Sequence, residues 1–180
     1  MKNIGFIGIG VMGKSMAANL LKKGFSVSIY TRTKQKALPI IEQGALWCDT
    51  IADCVKDKDA VITMVGYPKD VQEVYFAKEG ILENVKKGAY VIDMTTTSPK
   101  LSVKIYEQAK QKGVFALDAP VSGGDIAAEQ GSLSIMVGGE KEVFDHCKDI
   151  FEAMGKNIVY QGKAGSGQHT KMANQIALAG

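Results

Sequence analysis

The segment Gly8–Gly13 reads G-I-G-V-M-G, and it lies between an apolar run of strand length and an amphipathic helical pattern. At such a strand–turn–helix junction the first glycine makes the tight turn and the second lets the backbone approach a pyrophosphate. The third glycine lets the helix pack close to the strand, and the free N–H groups at the helix start bind the phosphates. This context predicts a dinucleotide-binding Rossmann domain, with a tight turn that binds nothing as the alternative. The residues expected to contact the dinucleotide here are Gly8, Ile9, Gly10, Val11, Met12 and Gly13.

Apolar runs of strand length alternate with helical patterns along the whole chain. The predicted strands are Ile4–Ile9, Ser26–Tyr30, Ala60–Val65, Ala89–Asp93, Phe115–Asp118, Ser132–Val137 and Ile158–Tyr160. The predicted helices are Met12–Lys23, Lys34–Gln43, Ile51–Val55, Asp70–Phe76, Pro99–Lys112 and Glu140–Met154, and the glycines predicted to cap helix ends are Gly24, Gly44, Gly113 and Gly155. Near-continuous apolar runs indicate strands buried on both faces, so the pattern predicts an α/β fold: a doubly wound, mostly parallel sheet.

The last segment of the chain predicts one more helix. Gly165-Ser166-Gly167 is typical of a turn, and Met172, Ile176 and Ala179 then recur at helical spacing. This apolar helix ends with the chain after about three turns, before it can pack beneath further sequence. We therefore expect a Rossmann domain over residues 1–164 and, over residues 165–180, the start of an interdomain helix whose second domain lies outside the sequence.

Composition excludes several classes of protein. A net charge of +3 over 180 residues, without a basic run or an aromatic platform, argues against nucleic-acid binding. Three cysteines without C-x-x-C spacing and two histidines indicate neither a disulfide framework nor a metal site, and they favour a reducing, cytoplasmic setting. No apolar stretch is long enough to span a bilayer, so no membrane partner is expected.

The end of the second predicted strand bears on the choice of dinucleotide. NAD-specific domains usually place an acidic residue about 20 residues after the glycine motif, where it binds the ribose 2′-hydroxyl. This chain has Thr31, Arg32 and Thr33 there instead. A guanidinium and neighbouring hydroxyls suit a 2′-phosphate, so we predict NADP, with NAD less favoured. The alternative is that Arg32 and Lys34 simply begin a solvated helix.

In doubly wound α/β folds, further contacts with the ligand lie at the carboxyl ends of the strands. Met64 and Val65 are expected beside the adenine or the linking phosphates, although their apolar pattern alone equally suits core residues. Thr96 is expected beside the nicotinamide ribose.

Two later glycine-rich segments predict a site for a carboxylate substrate. In the segment Asp118–Gly124 the hydroxyl of Ser122 and the amides of Gly123 and Gly124 can form a small anion nest. In the segment Gly162–Asn174, Lys171 and Asn174 stand at i and i+3 and share one helix face. Burial lowers the pKa of a lysine and lets it exchange a proton, whereas a solvated helix lysine is the alternative.

At these positions the chain resembles the β-hydroxyacid dehydrogenase family, which includes 3-hydroxyisobutyrate dehydrogenase and several semialdehyde reductases and is distantly related to 6-phosphogluconate dehydrogenase. Four elements match in order: F-I-G-x-G-x-M-G from Phe6, D-M-T-T from Asp93, the Asp118–Gly124 segment, and G-x-x-G-x-G-x-x-x-K-x-x-N from Gly162. The decarboxylating 6-phosphogluconate enzymes typically have a His-Asn pair after the lysine, whereas this chain has Met172-Ala173-Asn174-Gln175. This difference favours the branch that acts on short acids.

The resemblance implies an NAD(P)-dependent oxidoreductase that interconverts a short hydroxy acid and its aldehyde, and Arg32 favours NADP as its cofactor. It implies that Lys171 is the general acid/base, that Ser122, Gly123 and Gly124 hold the substrate carboxylate, that Asn174 orients the substrate and that Thr96 touches the cofactor. It also implies an all-helical C-terminal domain that makes a homodimer or homotetramer, so the 180-residue chain alone is expected to be inactive. Two alternatives stay open: an NADP-binding module without turnover, and a sugar-phosphate enzyme similar to 6-phosphogluconate dehydrogenase.

Overall fold

The computed structural model describes residues 1–179, which form one sheet flanked by helices. The strands are β1 (Asn3–Ile7), β2 (Ser26–Tyr30), β3 (Leu46–Trp47), β4 (Ala60–Thr63), β5 (Tyr90–Asp93), β6 (Phe115–Asp118), β7 (Val121–Ser122), β8 (Leu133–Gly138) and β9 (Gly155–Gly162). The α-helices are α1 (Val11–Lys22), α2 (Leu38–Ile41), α3 (Ile51–Val55), α4 (Pro68–Phe76), α5 (Ile81–Asn84), α6 (Pro99–Gln111), α7 (Gly124–Glu129), α8 (Lys141–His146), α9 (Lys148–Met154) and α10 (Ser166–Ala179).

The sheet confirms the predicted doubly wound α/β fold. Its order is β3-β2-β1-β4-β5-β6-β8-β7, with β9 paired to β8. The pairs from β3 to β6 are all parallel, and the strand order reverses between β1 and β4. β8 runs antiparallel to β6 and β7 and parallel to β9. In such a fold, ligands bind outside the carboxyl ends of the strands at the point of reversal, which here lies beyond β1 and β4.

Apolar side chains fill both faces of the sheet, as the near-continuous apolar strands predict. Ile4 and Phe6 of β1 pack on one face with α1, α7 and α9 residues, whereas Ile7 of the same strand packs on the other face with Val61 and Val91. Because both faces are covered by helices, the sheet edge above β1, β4, β5 and β6 is the open surface at which functional groups gather.

Several local predictions were wrong in detail. The predicted helix Lys34–Gln43 is a 3-10 turn (Lys34–Ala37) followed by α2, whose first turn contains Pro39. The predicted helix Glu140–Met154 divides at Cys147 into α8 and α9. Gly155 has an extended backbone (φ −142°) and begins β9, so it does not end a helix as a left-handed cap. The short elements β3, β7, α5 and α7 had no predicted counterpart.

The final helix α10 packs on β8, β9 and α6. Met172, Ile176 and Leu178 on this helix are exposed. The assignment of residues 165–180 to an interdomain helix stays a prediction, and its last residue, Gly180, lies outside the described residues. Within residues 1–179, none of the helices combines the length and the apolar character that crossing a membrane requires.

Candidate active site

The glycine turn after β1 is built from close backbone contacts. Gly8 has a positive φ of 101°, and a Cβ at this position would overlap the carbonyl oxygen of Met64. A Cβ on Gly13 would overlap the carbonyl oxygen of Gly8. The amide of Gly8 also donates to the carbonyl of Tyr30 at 2.9 Å, which joins the turn to the end of β2. Two of the motif glycines are therefore required by the turn itself.

Gly10 differs from these two glycines, because nothing lies within 4 Å of a Cβ built there. It precedes α1, whose first turn has no acidic side chain. The amides of Val11, Met12 and Gly13 lie in that first turn, where N–H groups have no partner inside the helix. An open approach to the backbone beside several free donors fits a pyrophosphate.

A cleft with a volume of about 480 Å³ extends from this turn over the carboxyl ends of β1, β2 and β4 to the start of α4. This volume is within the range typical of small-molecule sites. The predicted cofactor residues that line it are Gly8, Ile9, Gly10, Val11, Met12, Gly13, Thr31, Arg32, Thr33, Met64 and Val65. Thr96 does not line the cleft and is exposed on the loop after β5. The residues therefore fit a dinucleotide with its phosphates at α1.

Arg32 lies at the outer end of the cleft, and its side chain is 77% exposed. One guanidinium nitrogen is 3.4 Å from a carboxylate oxygen of Asp70, whose other oxygen accepts from the amide of Tyr67. Sequence reasoning did not single out Asp70. Its local role is to accept from the amide of Tyr67 at the start of α4, but its position beside Arg32 depends on the fold. Because a guanidinium has five N–H donors, the pair with Asp70 leaves most of the Arg32 donors free.

The loops after β4 and β5 are joined at the same edge of the sheet. The amide of Val65 donates to the Thr95 hydroxyl at 3.0 Å, and the Asp93 carboxylate accepts from the hydroxyl of Thr63 and the amide of Thr95. These contacts connect the cleft to the loop that carries Thr96, the residue expected from the sequence to lie beside the nicotinamide ribose.

The side chains of Lys171, Ser122 and Asn174 meet at a second position on this edge. Lys171 Nζ donates to Ser122 Oγ at 2.8 Å, and Asn174 Nδ2 donates to the same oxygen at 3.2 Å. Lys171 is 8% exposed, and its burial lowers the pKa of the ammonium group. The lysine and the asparagine come from α10, whereas the serine ends β7. The structure therefore brings together three side chains that sequence analysis assigned to one site.

Gly123 and Gly124 follow Ser122 directly, and both have positive φ angles, 127° and 69°. Both are exposed, and α7 begins at Gly124. His169, two residues before Lys171, is exposed and has no described contact with the lysine. The exposed glycine amides beside Ser122 suit an anionic group.

The beginning of α10 is fixed by Asp118, which sequence analysis did not assign a separate role. Its carboxylate accepts from the amides of Gly165 and Gln168 at 2.7 and 3.0 Å. Burial raises the pKa of Asp118, and these amide hydrogen bonds oppose the rise. Asp118 and Gly165 are 47 residues apart in the sequence, so no local pattern could have found this cap.

Among the residues that the structure describes, no three His, Cys, Asp or Glu side chains are grouped as metal ligands. Around the contact of Lys171 with Ser122, the buried titratable groups at the ends of β5 and β6 are the carboxylates Asp93 and Asp118.

We expect Asp93 to make stability depend on pH. Burial raises its pKa from 3.8 to about 6, and one oxygen has no partner within the described part of the chain. Between these values the native state keeps a proton that the unfolded chain releases. The free energy of unfolding should therefore fall by up to about 3 kcal/mol as the pH rises from about 4 to about 6. Urea midpoints of the wild type and Asp93→Asn at pH 4.5 and pH 7 measure this effect.

In Asp93→Asn the difference between the two urea midpoints should shrink, because the amide does not titrate. Asp149→Asn on the exposed first turn of α9 serves as the control and should keep the full difference. A wild-type pH dependence in Asp93→Asn would show that other groups cause it.

The family model described as the NAD binding domain of 6-phosphogluconate dehydrogenase matches residues 3–162. The chain is 65% identical over 178 residues to the uncharacterized oxidoreductase YkwC of Bacillus subtilis (strain 168), covering 99% of the chain and 62% of that protein. It is 39% identical to 3-hydroxyisobutyrate dehydrogenase of Pseudomonas aeruginosa, covering 99% of the chain and 60% of that enzyme.

Two solved structures show the same architecture. The chain superposes on Mycobacterium tuberculosis 3-hydroxyisobutyrate dehydrogenase with L-serine at a TM-score of 0.95 and 31% identity, covering 99% of the chain and 60% of that enzyme. It superposes on Psf3 in complex with NADP+ and 2-OPP at a TM-score of 0.93 and 29% identity, covering 97% of the chain and 62% of that protein. The chain thus spans about three fifths of the length of these proteins.

Proposed function

The chain belongs to the β-hydroxyacid dehydrogenase family of the 6-phosphogluconate dehydrogenase superfamily, and from this membership and the site we propose an NADP-dependent oxidoreductase that interconverts a short hydroxy acid and its aldehyde. The observation on which the proposal depends is the contact of Lys171 Nζ with Ser122 Oγ at 2.8 Å, with Asn174 on the same oxygen. A cofactor-binding module without turnover has no need of a buried lysine in this arrangement.

Ser122 is suited to bind a carboxylate because of the hydrogen bonds that it accepts. A hydroxyl has one donor and two acceptor sites, and Lys171 and Asn174 fill both acceptor sites. The hydroxyl proton therefore points away from them and is free to donate to a substrate oxygen. The exposed amides of Gly123 and Gly124 supply further donors to the same anion.

Lys171 supplies the proton of the proposed reaction. Its ammonium group has three N–H donors, and Ser122 takes one of them. A second donor is then available to the carbonyl oxygen of a bound aldehyde acid, where negative charge develops during reduction. The lowered pKa of the lysine eases this proton transfer, and the neutral amine accepts the proton in the oxidation direction. When bound, the nicotinamide cofactor supplies or accepts the hydride.

The cofactor contacts are assigned to the cleft at the glycine turn. The amides of Val11, Met12 and Gly13 would hold the pyrophosphate, and Arg32 would bind the 2′-phosphate with the donors that Asp70 leaves free. Thr31 and Thr33 would add hydroxyl contacts on either side of Arg32, and Thr96 would lie beside the nicotinamide ribose.

The chemistry is tested by turnover of the natural protein containing this sequence. With NADPH as reductant, we expect reduction of one or more short aldehyde acids among glyoxylate, succinic semialdehyde and tartronate semialdehyde, and oxidation of 3-hydroxyisobutyrate or a similar hydroxy acid with NADP+. A natural protein that binds NADPH and turns over none of these acids would contradict the proposal.

Arg32→Ala tests the choice of cofactor. A hydrogen bond to a charged group contributes about 1.5–3 kcal/mol, so the Kd of NADPH should rise about 10–100-fold while that of NADH changes little. Titration of both cofactors by fluorescence measures the two constants. Lys100→Ala, an exposed cation on α6, is the control and should leave both unchanged. A wild-type protein that binds NADH as tightly as NADPH would refute the assignment.

A further inference from the structure

Gln168 lies in the first turn of α10 and is fully buried. Its side-chain oxygen accepts from the amide of Thr97 at 2.9 Å, and its side-chain nitrogen donates to the carbonyl of Thr95 at 2.8 Å. The two bonds lie on either side of Thr96. Because Thr95 and Thr97 are buried and tied to Gln168, Thr96 between them is turned outward and exposed.

The backbone of Gln168 is also held, through a hydrogen bond to the end of a strand. The amide of Gln168 donates to the carboxylate of Asp118 at the end of β6 at 3.0 Å. The loop that Gln168 holds is in turn connected to the cofactor cleft, since the Thr95 hydroxyl accepts from the amide of Val65. Gln168 therefore links β6, the loop after β5 and α10.

Lys171 follows Gln168 by three residues, so the two side chains lie on the same face of α10. Any movement of the first turn of the helix relative to the loop changes the position of the lysine relative to Thr96. We propose that Gln168 is a positioning residue that sets the spacing between the cofactor loop at Thr96 and the proton-transferring amine of Lys171. The inference rests on the proposed function, in which both partners serve one reaction.

Both loop contacts need a side chain of this length that carries one acceptor and one donor, and the amide of Gln168 provides both at any pH. A glutamate at position 168 accepts from Thr97 but, when ionised, presents an acceptor to the carbonyl of Thr95. A protonated glutamate has an O–H that donates to that carbonyl, and it restores the bridge. A methionine has similar length and makes neither bond at any pH.

The groups that face position 168 determine when such a glutamate is protonated. Asp118 on β6 accepts from the amide of residue 168, and Asp93 at the end of β5 accepts from the amide of Thr95 in the loop that this residue holds. Each adds negative charge nearby when it is ionised, and burial also disfavours ionisation of the glutamate. Lys171 lies one turn further along α10, and Tyr106 of α6 lies beside Ala164 just before the helix. Burial and the two carboxylates raise the pKa of the introduced glutamate, whereas the Lys171 ammonium group lowers it. Because position 168 is fully buried, the pKa is expected above the ordinary value of about 4.3.

The test compares the kcat of Gln168→Glu and Gln168→Met with that of the wild type in the natural protein between pH 5 and pH 8.5. A displacement of about 1 Å at a reacting group costs about 10²-fold in rate. At high pH the kcat of Gln168→Glu should therefore be about 10–100-fold lower than that of the wild type. Its kcat ratio to the wild type should recover towards one as the pH falls, whereas the ratio of Gln168→Met should stay low and flat. Gln111→Glu, an exposed glutamine on α6, controls for added charge and should keep a ratio near one.

Amide hydrogen exchange provides a readout that needs neither substrate nor cofactor. In Gln168→Met the amide of Thr97 loses its acceptor, so it should exchange about tenfold faster than in the wild type while amides of β1 and β4 keep their protection. In Gln168→Glu the carboxyl group still accepts from the amide of Thr97, so exchange of that amide should stay near the wild-type rate at every pH, and only the contact with the Thr95 carbonyl is lost at high pH.

The outcomes separate the positioning role from the proposed function. A pH-independent kcat ratio for Gln168→Glu, or Thr97 exchange at the wild-type rate in Gln168→Met, overturns the positioning role and leaves the function of Lys171 intact. Faster Thr97 exchange with a kcat near the wild type at every pH also overturns it, since the bridge would then be merely structural. If Lys171→Ala keeps normal turnover, the proposed function is wrong, and the positioning role of Gln168 is wrong with it.

Discussion

Lys171→Ala in the natural protein is expected to lower kcat about 10²–10⁴-fold, the range that a positioned general acid contributes. The alanine removes the proton donor, and it also removes the hydrogen bond to Ser122 that orients the hydroxyl. The Kd of NADPH should change little, because all the residues assigned to the dinucleotide except Thr96 lie in a cleft that Lys171 does not line. Steady-state turnover and cofactor titration measure the two effects separately.

Lys171→Arg distinguishes proton transfer from charge alone. An arginine keeps the positive charge and can still donate to Ser122, but its guanidinium stays protonated, which makes it a poor proton donor. We therefore expect a loss of kcat nearly as large as for alanine. Lys156→Ala, an exposed lysine on β9, is the control and should retain full activity. Near-normal turnover in Lys171→Arg would show that charge stabilisation, not proton transfer, is the role.

If Lys171 transfers the proton, the reduction and oxidation rates of the wild type should depend on pH in opposite directions. Burial lowers the pKa of Lys171, and only the protonated amine can donate to the carbonyl oxygen. The reduction rate should accordingly fall as the pH rises through the lowered pKa, and the oxidation rate should rise over the same range. In Lys171→Ala, these opposite pH dependences of the reduction and oxidation rates should disappear.

The parts of this molecule that sequence predicted well are those with a local signal. The alternation of strands and helices is visible in the sequence, so the parallel sheet was predictable from pattern alone. The glycine motif is equally local, and so is the i, i+3 spacing of Lys171 and Asn174. The proximity of Ser122 to Lys171, 49 residues away, has no such signal and came from the family resemblance. Elements of two residues, such as β3 and β7, are too short to show a period.

Contacts that depend only on the tertiary fold were missed. The pair of Arg32 with Asp70 joins the end of β2 to the start of α4, and the bridge from Gln168 to the loop at Thr95 joins residues 73 positions apart. Each residue has an ordinary local explanation, a helix cap for Asp70 and a polar first helical turn for Gln168. Their importance for the site follows from strand order, which places the carboxyl ends of β4, β5 and β6 side by side.

Alanine at Gly10 and at Gly13 should both abolish tight dinucleotide binding, but for different reasons. A methyl group on Gly10 meets no atom of the protein, so the fold should tolerate it, yet it occupies the space through which a pyrophosphate reaches the backbone. A methyl group on Gly13 overlaps the carbonyl oxygen of Gly8 and forces the turn to move. Since overpacking a methyl group costs about 1–3 kcal/mol and about 1.4 kcal/mol is tenfold, NADPH affinity should fall up to about 10²-fold in both variants.

Thermal unfolding separates the two glycines. Gly13→Ala should lose up to about 2 kcal/mol of stability after the higher helix propensity of alanine is taken into account, which lowers Tm by up to about 4–8 °C. Gly10→Ala should keep the wild-type Tm in the absence of cofactor and lose only the rise in Tm that NADPH produces. Gly24→Ala places a side chain in another open space, but at a positive φ of 88°, so it should lose stability and keep the affinity for NADPH. If Gly10→Ala kept wild-type NADPH affinity, the pyrophosphate could not lie against this turn, and the cofactor contacts assigned to α1 would be wrong.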